Sequence, residues 1–438
     1  MKEAGGASAD RPVPARARPL LGGPLSAAAL VLGMFTEAIG YGMVAPTLPF
    51  MAQKVGAHEG RIGFLVGVYA AVGLFAAIPL GALANRFGRR SLVVLGLTCL
   101  TAASIGLTMA PTYLWLVVAR IVQGLGASGV WVGTLTLAAD LSPDETMGRS
   151  LSWITGAWSL GFILGPAFGG IGTLRTPFYL YAGLSALTLV VAVAGLPEIG
   201  RGGPRATLKG ILRIFRRSQV LTSGVATFAL AFFYGAVEAF LPLLLAGGSA
   251  TTGGAAGGAA AGGSAAAGAA TAAAATPAAS RAAIGLLFSV AGLPSVLLPG
   301  IAGRLADRFG DVRLIVAGFV FAAALSLTFL PLFGLVPSLV LFFLLGCVEV
   351  IVYTPAIALL NRGMPSTERV FSSASHSYAF SLGFFLGPLV GGLLFPFGGY
   401  ATMFATLALV SIAAAIVVRR TAPRDPSAPP LADGAPEY

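Results

Sequence analysis

GALANRFGRR, Gly81 to Arg90, and GRLADRFGDVR, Gly303 to Arg313, are the two stretches on which the fold turns. Each reads as a short basic loop set between long apolar runs, and the two lie 222 residues apart. A second motif of different chemistry repeats at the same spacing, GFILGPAFGG from Gly161 and GFFLGPLVGG from Gly383. In that register Gly124 pairs with Gly346 and Pro143 with Pro365. Unrelated motifs that share one offset imply a tandem duplication, and here each copy has room for six helices. Repeats related about the membrane normal place a substrate site at their interface near mid-membrane.

Working outward, the composition fixes the solvent. Of 438 residues 56% are hydrophobic and 10% charged, against about a quarter charged in ordinary soluble domains. Lipid solvates the outer faces of such a chain, and each span needs about 20 apolar residues. The runs are long and continuous, unlike the ~10-residue alternating strands of a barrel. Lipid also offers backbone groups no partner except their own helix. The reading is therefore an all-α membrane protein of twelve transmembrane helices in two six-helix pseudo-symmetric bundles. Cys99 and Cys347 both fall inside apolar runs and read as small packing residues.

The runs centre on 25–49, 61–80, 91–110, 114–138, 150–172, 177–197, 219–246, 283–302, 314–333, 337–360, 372–395 and 399–418. Residues 1–24 form a polar N-terminus expected to be disordered. Residues 25–198 make the first bundle, 199–218 a basic linker, 219–418 the second bundle and 419–438 a tail. Within the second bundle 247–281 is almost pure Ala, Gly, Ser and Thr, expected to be a mobile external loop. With the N-terminus inside, 22 of the 27 Lys and Arg fall on cytoplasmic segments, so the positive-inside rule places both termini in the cytoplasm. The net charge of +11 then needs no nucleic acid. The preference for Arg over Lys together with abundant Ala and Gly points to a bacterial chain, hence a multi-pass protein of the cytoplasmic (inner) membrane.

Sixteen acids are present, and Glu37, Glu238 and Glu349 alone sit well inside spans. An ionised group at mid-bilayer costs about 2.5–3.5 kcal/mol even on insertion scales, so such residues face a cavity or a partner and mark function. Low dielectric favours the neutral carboxyl, which suits reversible proton loading, and the ionised form attracts a cation. Arg120 is the one cation inside a span and is expected to pair with Glu37 when that acid is ionised. Gly161, Gly165 and Gly169 stand four apart, allowing close helix approach. Pro166 removes a helix hydrogen bond and bends its helix, so this span is expected to seal the central cavity at the interface between the halves. Arg86, Arg89 and Arg90 are placed to pair with Asp140, with Gly81 and Gly88 shaping the turn. Tyr41, Gln123, Trp158, Tyr234 and Tyr353 are candidate cavity-lining residues. Phosphate-cradling loops, zinc spacings and nucleophile elbows are absent from the sequence, so no enzyme and no cofactor is expected, and energy must come from a proton gradient.

These residues resemble the major facilitator superfamily, and within it the twelve-span drug:proton antiporters, over essentially the whole chain. The loop signature is Gly81, Asn85, Arg86, Gly88, Arg89 and Arg90, echoed by Gly303, Asp307, Arg308 and Gly310. LVVARIVQGLGAS carries the span-four signature with Arg120, Gln123 and Gly124. Gly161, Gly165, Pro166, Gly169 and Gly170 complete the span-five antiporter signature, with Gly383, Gly387 and Pro388 in the second copy. EAIGYGMVAPTLP from Glu37 is similar to the first span of tetracycline exporters, and VEAFLP around Glu238 to vesicular amine transporters. Asn85 stands where the family usually has Asp, so the first-half latch is expected to be weaker. The resemblance implies alternating-access export of small amphipathic or cationic compounds in exchange for protons, by a monomer, with a coupling role for Arg120. A specific metabolite or sugar exporter, and a transport-inactive sensor or assembly factor on the same fold, are the rival expectations.

Overall fold

The computed structural model describes residues 20–44, 46–142, 146–198, 217–247, 279–328, 335–362 and 369–423. The expectations for residues 1–19, for most of the basic linker and of the Ala/Gly stretch, and for the end of the tail lie outside the described residues. Among the described residues there are helices and no strands. The first half comprises α1 (Pro24–Val44), α2 (Leu48–Lys54), α3 (Glu59–Phe87), α4 (Arg89–Met109), α5 (Tyr113–Leu141), α6 (Met147–Gly169) and α7 (Thr176–Gly195). The second comprises α8 (Ser218–Leu245), α9 (Arg281–Leu297), α10 (Pro299–Phe309), α11 (Asp311–Thr328), α12 (Leu335–Asn361), α13 (Arg369–Leu394) and α14 (Gly399–Thr421).

Eleven of these helices are long and apolar enough to cross a membrane, and the bent pair α9–α10 brings the number to twelve. That eighth span differs from the straight run expected over 283–302. It bends by 55° because Pro294 lacks a donor inside α9 and Pro299 starts a new helix. The first apolar run is likewise divided: α1 stops at Val44 and α2 restarts at Leu48 with Pro49 in its first turn. Side-chain caps fix other starts. Thr112 accepts the Trp115 backbone N–H at α5 and Ser280 that of Ala283 at α9.

The two halves are copies in packing as well as in sequence. Gly165 lets α6 press on α1: a Cβ there would lie 2.6 Å from the Ile39 carbonyl oxygen. In the second copy a Cβ on Gly387 of α13 would strike the Phe232 carbonyl oxygen of α8. Gly161 and Gly383 repeat this against Phe35 and Phe228. Ile39 and Phe232, like Phe35 and Phe228, are 193 residues apart, and the same spacing relates YGMVAPTLP from Tyr41 to YGAVEAFLP from Tyr234. The spacings of 222 and 193 differ by 29 residues, the excess contributed by the Ala/Gly-rich stretch between α8 and α9.

The glycine stripe of α6 thus lies inside one half rather than across the interface. The other face of the motif crosses it. Gly285 of α9 abuts the Pro166 carbonyl, Gly170 abuts Arg281 and Ala282, and Arg281 donates to the Gly172 carbonyl. On the opposite seam Gly63 of α3 abuts the Pro388 carbonyl and Gly392 abuts Glu59 and Gly60. All these contacts lie toward the end of the molecule that carries Arg61, Arg175 and Arg281. There a single apolar cluster runs from the second half into Val44, Leu48, Ile62, Leu65 and Leu116 of the first. A second cluster, around Leu30, Leu97, Val130 and Leu137, belongs to the first half alone. Among the described residues the close contacts between the halves therefore gather at that end, while the repeated basic motifs sit at the other.

Candidate functional site

α1 carries Glu37 and, one turn on, Tyr41. Both carboxylate oxygens of Glu37 are engaged: Tyr69 of α3 donates to Oε1 at 2.8 Å and Trp158 Nε1 of α6 donates to Oε2 at 2.8 Å. Arg120, nearly buried, does not meet Glu37 directly. Its Nη1 donates to Gln123 Oε1 at 2.9 Å and its Nη2 to the Val66 carbonyl at 3.2 Å. Its guanidinium lies 4.7 Å from the centre of the Tyr69 ring, a cation–π arrangement whose worth grows when desolvated. Arg120 and Glu37 are thus linked through Tyr69 instead of by the ion pair expected from the sequence.

The second half presents its acids differently. Tyr41 reaches across the interface and donates to Glu238 Oε2 of α8 at 2.6 Å. Glu349 of α12 is buried at Oε2 with no hydrogen-bond partner among the described residues. Both acids line a cavity between the halves with Tyr41, Phe162, Tyr234 and Phe288. That cavity is about 20 Å³, room for about one water. Glu37 is outside it, behind an aromatic wall in which Trp158 stacks on Phe162 (5.3 Å, 11°) and Phe162 on Tyr41 (6.1 Å, 16°). Tyr234, the counterpart of Tyr41 at 193 residues, donates to the Leu345 carbonyl at 2.6 Å.

Tyr41 and Tyr234 therefore line the cavity, whereas Trp158 serves Glu37 and Gln123 serves Arg120. Tyr353 lies a turn from Glu349 on α12, against the His376 ring (5.4 Å between centres) and outside the cavity. Tyr69 carries the link between Glu37 and Arg120 and was not singled out from the sequence; an aromatic residue in an apolar span has no signature. The repeated Tyr-Gly pairs were a usable signal for Tyr41 and Tyr234, hidden by the change of offset.

At the motif end Gly88 and Gly310 both hold positive φ, 92° and 90°, where glycine avoids the Cβ clash. Arg89 forms an ion pair with Asp140, and Arg90 donates to the Val193 carbonyl at 2.7 Å. Arg86 and Arg308 rest over the rings of Phe87 and Phe309 (5.2 and 5.3 Å). In the second half Arg362 bridges Asp307 and Asp311, each at 3.1 Å. At the 222-residue spacing Arg89 corresponds to Asp311 and Asp140 to Arg362, so the same bridge recurs with its charges exchanged. Gly303 has open space around it, while the side-chain surroundings of Gly81 and Asn85 lie outside the described residues. Both bridges join elements of one half. Among the described residues no group of His, Cys, Asp or Glu converges as a metal site.

A sequence profile of the Major Facilitator Superfamily matches residues 30–281 and 255–437. The chain is 24% identical over 416 residues to multidrug resistance protein 1 of Bacillus subtilis (strain 168), covering 90% of this chain and 96% of that protein. It is 34% identical over 177 residues to an MFS-type transporter of Schizosaccharomyces pombe, 39% of this chain and 40% of that one. The crystal structure of the nucleoside transporter NupG superposes with a TM-score of 0.70 at 13% identity, over 90% of this chain and 98% of that one, a likeness of fold. With a duplicated twelve-span architecture and a profile match along most of its length, the chain belongs to the Major Facilitator Superfamily, as a multi-pass membrane transporter of small molecules.

Proposed function

We propose that the chain is a proton-coupled antiporter that exports small amphipathic or cationic compounds by alternating access. The observation that carries this reading is the placement of three membrane-embedded acids: two on the cavity between the halves, and one an aromatic layer behind it. Relatives named for multidrug resistance support the direction, since a transporter confers resistance by moving a compound out. The end that carries the basic motifs is the cytoplasmic one by the positive-inside rule, so the close packing of the halves lies toward the external end.

The side chains divide the work. Glu238 and Glu349, on the cavity wall beside Tyr41 and Tyr234, draw in a cation; carboxylates and aromatic faces together favour that charge. Glu37 is the proton-loaded group. As a carboxylate it accepts from both Tyr69 and Trp158. A proton on Oε1 can be donated to Tyr69, whose phenol also accepts, whereas a proton on Oε2 would face an indole N–H that only donates; the Tyr69 hydrogen bond is therefore the one that reverses. Protonation unsettles that contact. Tyr69 is packed 5.4 Å from Tyr41, and Tyr41 holds Glu238 of the other half. A change at Glu37 thus reaches the only described hydrogen bond joining an acid of one half to the other, and Arg120, over Tyr69, feels the same movement.

The test is transport of ethidium into inside-out vesicles with an imposed pH gradient. The reading expects accumulation that collapses when the gradient is discharged. Movement indifferent to the gradient, at an undiminished rate, contradicts proton coupling.

A further inference from the structure

The central cavity, at about 20 Å³, is too small for any organic compound in this state. A second cavity of about 430 Å³ opens between α6 and α9, within the roughly 300–1,000 Å³ of small-molecule sites. It is lined by Ser152, Thr155, Ser159, Leu160 and Ile163 of α6 and by Ser295 and Val296 of α9. On α6 these positions recur at three- and four-residue intervals and so share one face. The seam between the two helices is closed from Gly170 and Arg281 as far as Ile163 and Gly292, where a Cβ on Gly292 would stand 3.0 Å from Ile163 Cγ1. The cavity begins where that contact ends. Phe162, the neighbour of Ile163, lines the central cavity, so the two spaces are separated by a single turn of α6.

Three of the four hydroxyls on this wall have a defined polarity. Ser152 donates to the Gly148 carbonyl (2.8 Å), Thr155 to Leu151 (2.9 Å) and Ser295 to Gly292 (2.7 Å). Each hydrogen is spent on its own helix, which leaves the oxygen lone pairs as acceptors toward the cavity. Leu160, Ile163 and Val296 supply an apolar strip beside them.

We propose that this cavity is an entry site, distinct from the acid-lined centre, that takes an amphipathic compound bearing N–H donors, with Ile163 against Gly292 as the constriction a substrate must pass to reach Glu238 and Glu349. The inference rests on the transporter reading for its substrate class. It assigns first contact to neutral acceptors and leaves the carboxylates for the second step, so a hydrogen-bond-donating cation is selected over one without donors.

The test uses the full chain with Cys99 and Cys347 replaced by Ala, and Ser159→Cys, Ser295→Cys or Ser381→Cys introduced singly. Ser381 lies on the other seam, near Gly73, and reports closure of the halves. Ethidium at about ten times its Kd should slow alkylation at positions 159 and 295 by roughly tenfold, as occupancy requires, and leave position 381 unchanged. The same protection should persist when Glu238→Gln and Glu349→Gln are added, and tetraphenylphosphonium, a cation without N–H groups, should protect weakly. Equal protection at all three positions means closure and overturns the entry site. So does loss of protection in the Gln background, or none at positions 159 and 295. Gradient-driven ethidium uptake by the unaltered chain, measured in parallel, tells failure of the entry site apart from failure of the transporter reading.

Discussion

The two halves share a backbone and differ in chemistry. At the duplicated spacings Glu37, Tyr69, Arg120, Gln123 and Trp158 of the first half correspond to Leu230, Ala291, Phe342, Leu345 and Phe380 of the second. Conversely, Glu238 and Glu349 correspond to Ala45 and Ala127. No charged position of either site is repeated, nor are Tyr69, Gln123 and Trp158, while the motif glycines and prolines and the cavity tyrosines are. In the proposed alternating access, the packing of α6 on α1 and of α13 on α8 has to be preserved for the halves to rock as equivalent bodies. The charges need only one copy each, and an unneeded ionisable group in lipid carries the insertion cost of about 2.5–3.5 kcal/mol. The first half holds an acid caged by Tyr69 and Trp158, and the second a pair of acids on the cavity between the halves.

The most severe test of that division is Glu37→Gln, which should reduce gradient-driven export to background while membrane insertion and ethidium binding remain. Undiminished uphill transport would remove Glu37 from the proton step. Next, Glu238→Gln with Glu349→Gln should raise the KM for ethidium by tenfold or more, since a lost charge partner is worth at least about 1.4 kcal/mol. Transport of an uncharged amphiphile should change far less. Equal losses for both compounds would deny these acids a role in charge selection.

The exchanged bridges at the motif end give a smaller effect. Arg362→Ala leaves Asp311, whose side chain is 4% exposed, without its half-exposed cation and beside Asp307, at a cost of about 2 kcal/mol. Arg89→Ala opens a pair whose side chains are 17% and 27% exposed, worth about 1 kcal/mol. Thermal melting in detergent should rank Arg362→Ala well below Arg89→Ala; equal midpoints would mean that the second half gains nothing from having two acids on one Arg. The smallest effect belongs to the inserted stretch. Deletion of residues 250–275 should leave transport within about twofold, because loop length enters closure entropy only logarithmically.

Much of this was legible in the sequence, because lipid makes charges rare and therefore conspicuous. Glu37, Arg120, Glu238 and Glu349 stand out against apolar runs, and the repeated loop and Gly-Pro motifs reveal the duplication. The Arg120–Tyr69–Glu37 link was not legible, since depth in a span does not say which ring lies between two charges. Nor was the division of the Gly161–Gly170 motif, whose stripe grips α1 while Pro166 and Gly170 meet α9; faces of one helix are assigned only by its neighbours. The correspondence of Tyr41 with Tyr234 was displaced by the 29 extra residues.

Proton release on ligand binding tests the central claim most directly. Purified protein in weakly buffered solution is titrated with ethidium, and pH is followed for the unaltered chain and for each of Glu37→Gln, Glu238→Gln and Glu349→Gln. The account predicts release from the unaltered chain and none from Glu37→Gln despite retained binding, with the other two variants binding more weakly yet releasing in proportion to occupancy. Full release from Glu37→Gln at saturation would contradict it.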